Sequence, residues 1–223
     1  MKRILCSLIA LVAIAVCAAD VEYYTTGNPP PASGAEIDPN SGFNLVIFHP
    51  ITTEYGIENK QVRELIAALN ALKYPTLFLW PNIDAGADRI SKELRIFREY
   101  HSPEWLRFMT NLSPEDFQKI LKRCAVAIGN SSSFVRDTTF SGTPVVLVGD
   151  RQKGREMGGN VVCVDYKRSE IREAICRQME HGRYEPDNIY GDGMASQRIA
   201  DILARVKPYV QKRLDYINRE RES

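Results

Sequence analysis

The chain has 223 residues, 44% of them hydrophobic and 26% charged, the balance of an ordinary globular protein with enough apolar matter for one sizeable core. Its 29 lysines and arginines against 28 acidic residues leave a formal charge of +1, which gives no electrostatic footing for nucleic acid or an anionic membrane surface. Any anion must therefore be held by local groups.

Residues 1–20 open the chain with Lys2 and Arg3, an apolar run from Ile4 to Cys17, and the small residues Ala18 and Ala19. Two readings stand side by side: a signal-like leader, or a hydrophobic segment buried at the edge of the fold. The run is short for a membrane span. Residues 21–43 are rich in proline, glycine and small polar residues and read as a linker. A domain is expected over 44–223.

From Asn44 onward, apolar strands and amphipathic helices alternate. Asn44 to Phe48 reads as a strand; Val62, Leu65, Ile66, Leu69 and Leu72 keep helical spacing; Thr76 to Trp80 is a second strand. A helix is expected around Ala87 to Glu99, a strand near Leu106 to Met109, a capped helix opened by Ser113-Pro-Glu-Asp, and a strand over Cys124 to Ile128. Val145 to Val148 and Val161 to Val164 complete the strands. The last stretch, Met194 to about Asn218, carries Ile199, Ile202, Leu203, Val206, Val210, Leu214 and Ile217 on a helical period, with Pro208 marking the place for a bend. Packing of that stripe on the core is the default expectation. Strands separated by helices imply a Rossmann-like α/β domain: a parallel sheet covered on both faces in three layers, with ligands beyond the carboxyl ends of the strands.

Two loops at such strand ends suit phosphate. Gly129-Asn130 breaks a strand into Ser131, Ser132 and Ser133, which open a helix with unpaired N–H groups and hydroxyl donors. Gly149-Asp-Arg-Gln-Lys-Gly-Arg-Glu156 follows the next strand, and Arg151 and Arg155 have the forked donors a diphosphate favours. Capping and loop solvation explain either loop alone; the pair points to a nucleotide-linked ligand. His49 closes the first strand, and Pro81-Asn-Ile-Asp-Ala-Gly86 closes the second, directing Asn82 and Asp84 at the same crevice. The three histidines, His49, His101 and His181, lack metal-ligand spacing, and no Walker loop, GxGxxG, HExxH or GxSxG occurs. Metal dependence is therefore not indicated. Cys124, Cys163 and Cys176 read as reduced core thiols.

Together, His49-Pro-Ile-Thr-Thr53, Trp80-Pro-Asn-Ile-Asp-Ala-Gly86, Ile128-Gly-Asn-Ser-Ser132, Gly142-Thr-Pro144, Gly149-Asp-Arg-Gln152 and Ile189-Tyr-Gly-Asp-Gly193 resemble, in order and spacing, the hydrolysing UDP-N-acetylglucosamine 2-epimerases. The resemblance runs from about Tyr24 to Leu203. It implies one half of a GT-B-type fold, the carboxyl-terminal UDP-binding half, with roughly the first half of a family member missing. It also implies elimination of UDP from UDP-N-acetylglucosamine, or a related UDP-amino sugar, and addition of water to give N-acetylmannosamine for sialic-acid-like sugars, with no redox or other cofactor.

By motif matching, His49 is the catalytic candidate facing diphosphate or sugar. Ser131, Ser132 and Arg151 would meet the diphosphate, Asn82 and the backbone near Leu112 the nucleoside, and Asp137 the ribose. Asp137 stands where the family has glutamate, and Phe134 stands where it has a small or short aliphatic residue, an expected narrowing of the pocket. The family's acid/base carboxylates lie largely in the missing half. A homo-oligomer or a separate amino-terminal half are the partners implied, and the cytoplasm the location, against export or anchoring through residues 1–19. The competing readings are a non-catalytic nucleotide-sugar binding module and the donor-binding half of a GT-B glycosyltransferase.

Overall fold

Six strands of four residues each, all but the last two separated by helices, make up the sheet in a computed structural model that describes residue 37, residues 42–110 and residues 112–207. In chain order the elements are β1 (Asn44–Ile47), α1 (Glu58–Leu72), β2 (Thr76–Leu79), α2 (Ala87–His101), β3 (Leu106–Met109), α3 (Pro114–Arg123), β4 (Val126–Gly129), α4 (Ser132–Arg136), β5 (Val145–Val148), β6 (Val161–Val164), α5 (Arg168–His181) and α6 (Ala195–Leu203). The signal-like segment, nearly all of the linker, and the expected helix from Pro208 onward lie outside the described residues. Two compact units are present, Met1–Tyr190 and Gly191–Ser223. The sheet and α1 to α5 belong to the first and α6 to the second.

All strand pairs are parallel, in the order β3-β2-β1-β4-β5-β6. The direction of strand addition reverses between β1 and β4, the place where open α/β sheets take their ligands. The four inner strands β2, β1, β4 and β5 are buried on both faces, which is why their sequences are almost wholly apolar; the edge strands β3 and β6 are only partly buried. On one face Val46, Phe48, Phe78, Ile128 and Val146 pack with Val62, Leu65 and Leu69 of α1, Ile90 and Leu94 of α2, and Ile171 and Ile175 of α5. On the other, Leu45, Ile47, Leu77, Val145 and Leu147 pack with Ile120 and Leu121 of α3 and Phe134 of α4. This alternation is the three-layer arrangement expected.

Local chemistry sets the helix ends. Ser113 caps α3 by accepting the Asp116 N–H at 3.1 Å, with Pro114 as the first helical residue. Lys73 ends α1 in the left-handed region at φ 51°. Helix α5 is an element the sequence reading did not place. Its buried side is Ile171, Ala174, Ile175 and Gln178, and Gln178 donates to the carbonyls of Val145 at 2.8 Å and Asn160 at 2.9 Å. A polar residue at the core face thus ties helix to sheet.

Two expectations need correction. Only Cys124 of the three thiols is buried, its thiol pushed up to about 12 by that burial; Cys163, on the edge strand β6, and Cys176, on the outer side of α5, are exposed. Phe134 is fully buried among Leu45, Ile47, Val145 and Leu147, so its ring fills core and does not narrow the crevice. In the second unit, the Arg198 guanidinium pairs with Asp192 and Ile199, Ile202 and Leu203 are exposed.

Candidate functional site

Parallel strands diverge where their ladder stops, and at the β1/β4 junction a side chain continues it. Gly129, at φ 137°, ends β4 so close to β1 that a Cβ would run into the Ile47 carbonyl oxygen. The next N–H, of Asn130, donates to that same carbonyl at 3.1 Å. The Asn130 side chain then accepts from the His49 N–H and donates to the His49 carbonyl, each at 2.8 Å. Asn130 has no exposed surface, so these bonds replace water that is excluded from both groups.

The Asn130 backbone carbonyl in turn accepts from Arg151 Nη1 at 3.1 Å and from Gln152 Nε2 at 2.9 Å. One residue therefore draws together the end of β1 and the turn after β5. Ser131 caps the short helix α4, its hydroxyl accepting from the Ser133 N–H at 3.4 Å and sharing a 2.8 Å bond with Ser133 Oγ. Ser132 makes no side-chain hydrogen bond among the described residues.

His49 is buried, and its Nδ1 has no hydrogen-bond partner. Burial pulls the imidazole below its ordinary 6.5, the positive charge of Arg151 adds to this, and the negative charge of Asp84 opposes it. The ring is accordingly neutral near pH 7, with one nitrogen free to accept.

The sequence-predicted residues fall into two sets. His49, Ser131 and Arg151 are brought together through Asn130. Asn82 is exposed in the turn after β2, Leu112 is half-buried against the second core face, and Asp137, at the end of α4, accepts from Gln118 Nε2 at 3.3 Å. Asp84 links the sets through its charge on His49. Sequence reasoning quoted Asn130 and Gln152 only as motif letters. The signal for Asn130 was its place directly after the strand-ending glycine.

A cavity of about 320 Å3 between α1 and α2, lined by Arg63, Ile66, Glu93, Phe97, Tyr100 and His101, includes none of these residues. Among the described residues no cluster of three His, Cys, Asp or Glu could hold a metal ion, and no helix is long and apolar enough to cross a membrane.

Residues 18–204 match the family model described as UDP-N-acetylglucosamine 2-epimerase. The chain is 29% identical over 168 residues to a UDP-N-acetylglucosamine 2-epimerase of Neisseria meningitidis serogroup B, covering 74% of this chain and 44% of that protein. It is 29% identical over 174 residues to a hydrolysing UDP-N,N'-diacetylbacillosamine 2-epimerase of Legionella pneumophila, covering 78% of this chain and 45% of the relative. The chain thus spans about half the length of these curated relatives. In fold it is similar to the crystal structure of a UDP-GlcNAc 2-epimerase from Neisseria meningitidis bound to UDP-GlcNAc, with a TM-score of 0.58 at 18% identity over 90% of this chain and 52% of that one.

Proposed function

Because the chain belongs to the UDP-N-acetylglucosamine 2-epimerase family, we propose that it binds the UDP part of UDP-N-acetylglucosamine, or of a related UDP-amino sugar, and serves the hydrolysing epimerase reaction. In that reaction UDP leaves as an anion, the sugar passes through an unsaturated intermediate, and water adds to give N-acetylmannosamine. The observation that carries the reading is the buried Asn130, which gathers the His49 backbone and the Arg151 guanidinium at one pair of strand ends.

Negative charge grows on the diphosphate as its bond to the sugar breaks. A guanidinium already held by the Asn130 carbonyl needs no reorganisation to meet that charge, so it stabilises the transition state more than the ground state. Ser132, with the backbone N–H groups that open α4, would add donors beside it, and Ser131 would keep them in place as the cap. His49 would take up a proton as the anion arrives and donate an N–H to a phosphate oxygen. Asn82 and the Leu112 backbone would meet the nucleoside, and Asp137 would exchange its exposed Gln118 partner for the ribose hydroxyls.

The carboxylates that remove the sugar proton and activate water are assigned to the region of the relatives that this chain does not match, supplied by a separate amino-terminal half. The cytoplasm, where nucleotide sugars are made, is the matching location. Calorimetric titration of the purified chain with UDP, followed by a product assay for N-acetylmannosamine, tests the reading. Heat of UDP binding is expected, with product formed only when an amino-terminal half from a relative is added. Absence of UDP binding would overturn it, and binding without product in the complemented mixture would leave a nucleotide-sugar binding module.

A further inference from the structure

Tyr166 lies just beyond β6, outside every motif that the function absorbs, yet its ring stands between the two segments that matter most. Edge-on against Phe48, with ring centroids 6.2 Å apart and planes at 87°, it packs on the residue directly before His49. Its hydroxyl end lies over Gly149, where a Cβ would collide with the phenol. Gly149 sits at φ 77° and its N–H donates to the Val164 carbonyl at 2.8 Å, so the turn carrying Asp150 and Arg151 starts from a fixed point under the ring. Burial, then the neighbouring Glu54 carboxylate, hold the phenol above its usual range, so it stays neutral and acts by shape.

We infer that Tyr166 is a positioning residue: its ring is the spacer that sets the strand end bearing His49 and the turn bearing Arg151 at the separation a diphosphate would bridge. The reasoning is steric. Phe48 fixes one side of the ring, the bare Cα of Gly149 fixes the other, and close-packed contacts of this kind transmit a change in volume directly to the backbone. The choice of diphosphate as the bridging group rests on the proposed function; the spacing role itself does not.

Two measurements on the full chain separate these layers. The first needs no ligand: proton NMR titration of the His49 imidazole. Tyr166→Ala should move His49 up toward its ordinary 6.5 as the site hydrates and Arg151 withdraws. Tyr166→Phe, which keeps the ring, should leave His49 unmoved. The second compares UDP with uridine. Tyr166→Ala should weaken UDP by at least about fivefold, the loss of one charge-assisted contact, and uridine by no more than about twofold. Should Tyr166→Ala fail to fold, Tyr166→Leu removes the ring's flat edge while retaining bulk and is read in the same way. An unmoved His49 in a folded variant, or equal weakening of UDP and uridine, would overturn the spacing role. A parent chain that binds no UDP sinks the proposed function instead, and the imidazole titration alone then decides the role of Tyr166.

Discussion

Asn130 binds His49 through both of the histidine's backbone groups, accepting from its N–H and donating to its carbonyl at 2.8 Å each. The amide side chain is thus an extra rung of the β1/β4 ladder at the point where the strands separate. Asn130→Ala would leave a buried N–H and a buried carbonyl without partners, a loss of about 2–6 kcal/mol at roughly 1–3 kcal/mol per orphaned group. Urea unfolding of the parent and the variant measures it. A loss under half a kcal/mol would mean that water reaches His49 after all.

Gly129 makes that rung possible. An alanine there would strain the backbone at φ 137° and drive its methyl into the Ile47 carbonyl, which should cost more than about 3 kcal/mol or prevent folding. Gly154 is the control: it also sits in the left-handed region, at φ 81°, but nothing lies within 4 Å of a Cβ built there. Gly154→Ala should cost only about 1–2 kcal/mol, the strain alone. Similar losses at the two sites would mean that strand proximity contributes nothing.

Phe134→Ala probes the one departure that suggested a blocked pocket. The ring is buried among Leu45, Ile47 and Leu147, so its removal should cost about 3–5 kcal/mol of stability through the cavity it leaves. UDP affinity should not rise. Tighter UDP binding in a stable variant would place the ring in the crevice.

These residues also show where the sequence was legible. Val145–Val148 and Asn44–Ile47 could be read because strands buried on both faces leave no polar interruption. Ser113 could be read because a cap is a local contact of three residues. Helix α5 was lost because the large apolar residues it buries fully are only Ile171 and Ile175, alongside Ala174 and Gln178. The direction of Phe134 could not be read: a helix of five residues has too little period to say which side faces the sheet. Cys163 lies in an apolar run, but exposure at a sheet edge is decided by which strand is last. At the candidate site, motif letters pointed to Arg151 and His49, whereas the link that Asn130 makes between them emerged from pairings across 81 positions to His49 and 21 to Arg151.

Arg151 donates to a backbone carbonyl and is only half-buried, so its replacement should spare the fold and strike the ligand. Arg151→Ala is expected to weaken UDP by about 1–3 kcal/mol, the range of a charge-assisted hydrogen bond lost without replacement, with a change in unfolding free energy under about 1 kcal/mol. Arg151→Lys keeps charge without the fork and should recover part of the affinity. Unchanged UDP affinity in the folded alanine variant would remove Arg151 from the diphosphate site.

His49 links the site to pH in two ways of fixed sign. Its folded imidazole titrates below 6.5, chiefly through burial, so the folded chain binds fewer protons than the unfolded one when the pH falls below that value. Stability from this group is therefore whole above the unfolded value and declines as pH drops from about 6.5 toward the folded value. His49→Gln should flatten that part of the curve. Ligand binding carries the opposite sign: an arriving diphosphate favours the imidazolium, so UDP binding near neutral pH should take up protons. Calorimetry in buffers of differing ionisation heat counts them. Because phosphate oxygens titrate near pH 6 themselves, the informative quantity is the difference between the parent and His49→Gln. Equal proton uptake in the two would show that the imidazole does not sense the diphosphate.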